Sequence, residues 1–187
     1  MNDRIVVTMV CTANQCRSPL AAAILGRQLA RGGVDAAVGS FGIDATAGPA
    51  TKGTIVAARR LGLDLDDHVS APLDPAVIAA SSLVLAMERG QVREVVVAVP
   101  DAFARTFTLK ELVRRGSAIG PREPGESLAA WLGRAGEGRR PGDLLGRSPV
   151  DDIADPTVNR LVDHDMLATE LVDLTRRLVE LAWPRSD

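Results

Sequence analysis

Ten consecutive residues near the N-terminus, Val10-Cys11-Thr12-Ala13-Asn14-Gln15-Cys16-Arg17-Ser18-Pro19, put a cysteine and an arginine six positions apart. A thiolate can attack phosphorus. A guanidinium can grip two phosphate oxygens in a planar fork and stabilise the phosphoryl group in the transition state. Ser18 suits a helix N-cap and Pro19 the first helical position, so the positive end of that helix would point back at Cys11. The intervening backbone N–H groups can converge on an anion. Ser18 can donate a hydrogen bond to the sulfur, which would also help it leave phosphorus. Asn14 tolerates the left-handed conformation that a tight loop demands. The chemistry indicated is removal of a phosphate through a phosphocysteine intermediate. Arginine is common in this chain, so the Cys-x5-Arg spacing alone says little; its place between a strand and a helix start gives it weight.

Phosphate removal also needs a proton donor for the leaving group. The candidate lies in Asp151-Asp152-Ile153-Ala154-Asp155-Pro156. Asp155 precedes a proline, which biases it away from helix and onto a loop. The same Asp-Pro pair reads equally well as the start signal of the last helix.

Positioning these residues requires a scaffold of alternating strands and helices. Residues 5–10 form a continuous apolar run, the pattern of a strand buried on both faces. A helix follows over 20–30 and ends at Gly32-Gly33. Residues 34–40 read as a second strand, 49–61 as a helix closed by Gly62, 74–80 as a short helix and 82–87 as a third strand. Residues 91–99 fit either strand, through Val95, Val96 and Val97, or helix, through the surrounding charges. Residues 105–109 read as a fourth strand leading into a helix that reaches Arg115. From Pro156 a long helix carries Leu167, Leu171, Leu174, Leu178 and Leu181 in one apolar stripe, serving as core or interface. This alternation implies a single α/β domain over 1–187, with a parallel sheet between helical layers.

Residues 116–150 break the pattern. Eight Gly and four Pro in this stretch predict a Gly/Pro-rich inserted loop, functional or mobile, with a short helix near 127–134. The seven arginines between Arg114 and Arg147, interspersed with acids, read as a solvated surface.

Composition narrows the function. The 187 residues carry a formal charge of −2, which gives no reason to expect nucleic acid. No apolar run approaches the roughly 18 residues of a membrane helix. The N-terminus shows no export-signal pattern, so a cytoplasmic protein with reduced thiols is expected. The two cysteines do not make a disulfide framework. His68 and His164 lie far apart, and no Cys/His cluster has metal-ligand spacing; neither metal nor cofactor is expected.

Together these features resemble the low-molecular-weight protein tyrosine phosphatase family. Its pattern is Cys-x-Gly-Asn-x-Cys-Arg-Ser-Pro near the N-terminus and Asp-Pro near the C-terminus. The similarity continues through Gly39-Ser40-Phe41-Gly42, Leu63-Asp64, His68-Val69-Ser70, residues 82–87 and residues 107–112. The stretches His68-Val69-Ser70-Ala71-Pro72-Leu73 and Phe107-Thr108-Leu109-Lys110-Glu111 lean toward bacterial members that act on phosphoarginine. The resemblance implies a three-layer α/β/α fold with a four-stranded parallel sheet and a phosphate-binding loop between strand 1 and helix 1. It implies Cys11 as nucleophile, Arg17 as phosphate clamp and Asp155 as general acid, then base. Thr12, Ala13, Asn14, Gln15, Cys16 and Ser18 would form or support the loop, with Ser40 and His68 as further supports. Cys16 matches a second loop cysteine that can trap the oxidised nucleophile in a reversible disulfide; it also reads as a buried small residue. The implied partner is a phosphoprotein, with no nucleic acid and no membrane, and the protein is expected as a monomer or weak homodimer.

The chain departs from the family at three places. Ala13 replaces a glycine, and its methyl group is expected to crowd the loop or shift its backbone. Gln15 borders the pocket where relatives carry Ile or Thr, leaving phosphotyrosine and phosphoarginine both open. Thr157-Val158-Asn159 follows the Asp-Pro pair where many members place an aromatic residue, and the chain has no Tyr, leaving Phe41 as a substitute wall. Two other readings compete: an arsenate reductase that uses an external small-molecule thiol, and a non-catalytic phosphate-binding module.

Overall fold

A computed structural model of the chain describes residues 4–156 and 160–185. Four strands, β1 (Ile5–Cys11), β2 (Ala36–Gly42), β3 (Leu83–Ala86) and β4 (Thr106–Thr108), form one parallel sheet in the order β2-β1-β3-β4. Seven α-helices surround it among the described residues: α1 (Arg17–Arg31), α2 (Lys52–Arg60), α3 (Pro75–Ala80), α4 (Arg89–Ala98), α5 (Leu109–Ile119), α6 (Leu128–Ala135) and α7 (Leu161–Ala182). Alternating residues of the inner strands pack into two separate clusters. Val7, Met9, Cys11, Leu83 and Leu85 join the cluster built with α1, α2, α5, α6 and α7. Val10, Val84 and Ala86 join Ile78, Val92 and Val95 of α3 and α4. This period-2 partition is the three-layer α/β/α arrangement expected from the sequence.

The leucine stripe on α7 is core. Leu167, Leu171, Leu174 and Leu178 are buried and Leu181 is half-buried against the same cluster, with α1, α2 and α5 as neighbours. The ambiguous segment 91–99 resolves as helix. Gln91 turns its side-chain carbonyl back to accept from the Met87 and Glu88 N–H groups, at 2.9 and 3.1 Å, and closes the first turn of α4. Val92 and Val95, three apart, then face the sheet while Val97 is left exposed.

Two expectations are corrected. The first helix begins at Arg17, so Ser18 lies inside its first turn and does not cap it; the cap position is Cys16, whose side chain makes no capping bond. The Ser18 hydroxyl faces Cys11 instead. The second correction concerns 116–150: the short helix expected near 127–134 is α6, but α5 also continues through Gly116 to Ile119, which leaves loop over 120–127 and most of 136–150. Helix α5 runs through Gly116 because this glycine serves close packing: a Cβ there would meet the Trp131 ring at 2.8 Å. Trp131, on α6, is fully buried, and burial of a side chain of this size contributes roughly 3 kcal/mol. Nor is Arg139 part of a solvated surface. Its side chain is 3% exposed and lies over the Phe107 ring at 3.9 Å. It donates to Glu111 Oε1 at 2.8 Å and to the Thr106 carbonyl at 2.8 Å.

Candidate active site

Parallel α/β sheets place their sites beyond the carboxyl ends of the strands, where the strand order reverses. Here that place is the end of β1, flanked by β2 and β3. Cys11 closes β1 opposite Gly42, and residues 12–16 link it to α1. Gly42 is required by this closeness: a Cβ there would lie 2.6 Å from the Thr12 carbonyl and 2.9 Å from Asn14 N.

Asn14 fixes the loop. It is buried and is the only non-glycine residue with positive φ (56°) among the described residues. Its N–H donates to Cys11 Sγ at 3.3 Å. Its Nδ2 donates to Ser18 Oγ and Ser40 Oγ, both at 2.9 Å. Its Oδ1 accepts from Ala71 N at 3.0 Å, and its carbonyl accepts from Ser70 Oγ at 2.9 Å and pairs with His68 Nε2 at 2.7 Å. The expected strain at Ala13 is absent because the left-handed position is the next residue. Ala13 is exposed at the cleft mouth and has no positive φ.

Cys11 Sγ lies 3.0 Å from Ser18 Oγ. That hydroxyl also lies 3.3 Å from the Phe41 carbonyl, so its one proton can serve the carbonyl or the sulfur, and a negative sulfur is the stronger acceptor. Arg17 is 3% exposed. Its Nη1 bonds the Glu88 carboxylate and the Ile153 carbonyl, the latter at 3.1 Å. Its Nε lies 2.9 Å from Asp155 Oδ1 without the alignment of a hydrogen bond. Asp155 is mostly exposed, and the residues just before it are tightly held. Ile153 N donates to the Met87 carbonyl at 2.8 Å. Asp151, 3% exposed, receives Arg89 Nη2 at 2.6 Å and Arg114 Nη2 at 2.9 Å. Burial alone would raise the Asp151 carboxyl, but the two guanidinium groups hold it below the usual carboxylate range.

A cleft of about 590 Å³ brings Cys11, Thr12, Ala13, Gln15, Cys16, Arg17 and Asp155 together, with Glu88 and Arg147 also on its walls. Asn14, Ser18, Ser40 and His68 lie behind it as supports. Phe41 does not line it, and no Phe, Tyr or Trp ring does among the described residues; Phe41 sits half-buried on β2. Thr157, Val158 and Asn159 lie outside the described residues. Cys16 meets Thr54, whose hydroxyl donates to its sulfur at 2.9 Å, and His164, whose Nδ1 is 3.6 Å away. Burial pushes the Cys16 thiol up to about 11. Gly53 lets α2 pass under that imidazole; a Cβ there would meet His164 Cδ2 at 2.3 Å.

Sequence reasoning missed Glu88, Gln91, Asp151 and Arg147. Glu88 had a usable signal, since it follows the carboxyl end of β3. Gln91 reaches Thr12 Oγ1 at 3.2 Å only because α4 folds back over the loop. Among the described residues no group of three or more His, Cys, Asp or Glu converges to hold a metal ion. No helix among them is long and apolar enough to cross a membrane.

Comparison with known proteins agrees with this architecture. The sequence model of the family described as "Low molecular weight phosphotyrosine protein phosphatase" matches residues 6–124. A probable low molecular weight protein-tyrosine-phosphatase, EpsP, of Ralstonia solanacearum is 33% identical over 57% of this chain and 71% of its own length. A protein-arginine-phosphatase of Bacillus subtilis is 35% identical over the same shares. The crystal structure of the low molecular weight protein tyrosine phosphatase from T. tengcongensis superposes with a TM-score of 0.71 at 27% identity, covering 94% of this chain and 98% of that one. With its four-stranded parallel sheet and its cysteine-arginine loop at the end of β1, the chain belongs to the low molecular weight phosphotyrosine protein phosphatase family and is a cysteine-dependent phosphatase.

Proposed function

We propose that the protein hydrolyses phosphate from a phosphoprotein, phosphotyrosine first, with Cys11 as nucleophile, Arg17 as clamp and Asp155 as general acid and base. The observation that carries this reading is the convergence of Cys11, Arg17 and Asp155 on one cleft, with Asp155 against the Arg17 guanidinium. In the first step Cys11 Sγ bonds to phosphorus while the bond to the leaving oxygen breaks, and Asp155 gives that oxygen its proton. In the second, water attacks phosphorus, the S–P bond breaks and Asp155 takes the proton of the water. Ser18 serves the sulfur as it leaves. Asn14 holds the loop with Ser40 and His68, and Thr12, Ala13, Gln15 and Cys16 complete the phosphate cradle. The aliphatic wall of Ile153, Ala154 and Pro156 suits an aryl ring.

Phosphoarginine is the second reading. It is favoured by the ring-free lining among the described residues and by the carboxylates of Glu88 and Asp155 on the same walls, which suit a guanidinium leaving group. A panel of phosphotyrosyl peptide, phosphoarginyl peptide and arsenate, with Cys11→Ser as control, tests both. Cys11-dependent turnover of a phosphopeptide supports the reading. Thiol-dependent arsenate reduction without phosphate release contradicts it.

A further inference from the structure

Residue 147 lies beyond the stretch that the family model matches, yet Arg147 shares the cleft wall with Cys11 and Arg17. The chain holds it there by two anchors. On one side Leu144 is 5% exposed within the cluster of Val10, Val92 and Val95. On the other, Ser148 N donates to Asp152 Oδ2 at 2.7 Å, and the Ser148 carbonyl accepts from the Asp151 and Asp152 N–H groups at 3.0 and 2.7 Å. Asp152 also accepts from Arg89 N at 2.9 Å, so Arg147 is tied to the same backbone that carries Asp155. Leu145 and Val150, either side of it, are 69% and 63% exposed.

The charges on the wall separate by depth. Arg17, buried at the base, is engaged by Glu88 and Asp155. Asp152 directs both carboxylate oxygens to backbone N–H groups. Arg147 is exposed, and no ion pair involves it among the described residues. A phosphoryl group on Arg17 therefore leaves a second, exposed cation on the wall of the cleft.

Resting on the phosphatase reading above, we infer that Arg147 is a specificity residue that recognises a carboxylate beside the phosphorylated residue of an acidic phosphopeptide. The guanidinium fork fits a carboxylate bidentately, and an exposed pair of this kind changes affinity by about fivefold.

The test uses matched phosphotyrosyl and phosphoarginyl peptides, each made with Glu or with Ala on both sides of the phosphorylated residue. The readout is the ratio of kcat/KM for the Glu peptide over the Ala peptide, which does not depend on the amount of folded enzyme. The wild type is expected to give a ratio of about five, arising in KM and shrinking with added salt. Arg147→Lys should keep most of the preference, Arg147→Ala should bring the ratio to about one, and Arg147→Glu should bring it below one. Equal turnover of the two flanks by the wild type, or a preference that survives Arg147→Glu, would overturn the inference and leave the phosphatase reading standing. Absence of turnover of every peptide would overturn both.

Discussion

The Nε of Arg17 and the Oδ1 of Asp155 lie 2.9 Å apart across the cleft. The proposed clamp and the proposed proton donor thus occupy each other before substrate arrives. A phosphoryl group on the guanidinium would displace the carboxylate toward the leaving group. Asp155→Asn should keep substrate affinity and lower kcat by about 10²- to 10⁴-fold. The loss should be larger for esters with poor leaving groups, because only those need the proton. Equal losses across a leaving-group series would remove Asp155 from the proton-donor role.

Asn14 offers a test of the loop. Asn14→Ala loses the side-chain bonds to Ser18, Ser40 and Ala71 and keeps the unfavourable φ, which costs about 1–2 kcal/mol without glycine or asparagine. The expected destabilisation is roughly 3 kcal/mol by urea unfolding. Asn14→Gly should lose less, since glycine accepts the backbone. The reverse order of the two variants would contradict the account.

Asp151 predicts a pH dependence. Burial works against its charge, yet Arg89 and Arg114 hold its carboxyl below its ordinary 3.8. A depressed carboxylate contributes stability above its unfolded value, and that contribution is lost as pH falls through the folded one. Asp151→Asn should therefore cost roughly 2 kcal/mol at neutral pH, discounted for the half-exposed Arg114. The difference from wild type should hold down to about pH 5 and shrink below about pH 4. A gap that persists in strong acid would show that the ion pairs are not its source.

Cys16 titrates in the opposite sense. Burial, the largest cause, raises its thiol from 9.0 to about 11, against the Thr54 hydroxyl, which lowers it. In a Cys11→Ser background the thiolate absorbance should have its midpoint near 11. The raised value means that stability is full below pH 9.0 and falls as pH rises toward 11. Thr54→Val should move the midpoint higher. A midpoint at the ordinary cysteine value would contradict the buried placement.

Much of this was legible in the chain. The apolar run of β1, the short helix α3 and the α7 leucine stripe each follow from local pattern, and so does the cysteine-arginine loop. The remainder depends on contacts distant in sequence. Ser18 looked like a cap because Ser-Pro is a helix-start pair, but Cys11 and Asn14 claim its hydroxyl. Gly116 looked like a breaker because nothing local announces the Trp131 ring packed against it. Arg139 looked solvated because its partners, Phe107 and Glu111, lie 32 and 28 residues earlier. Glu88 and Arg147 reach the cleft only once the sheet is assembled.

The most direct test of the central claim is phosphorylation of Cys11 itself. Rapid-quench mass analysis during turnover of an aryl phosphate should find one phosphoryl group on the peptide that carries Cys11, formed in a burst and absent from Cys11→Ser, which should not turn over. Undiminished turnover by Cys11→Ser, or a phosphoryl group on another residue, would contradict the account.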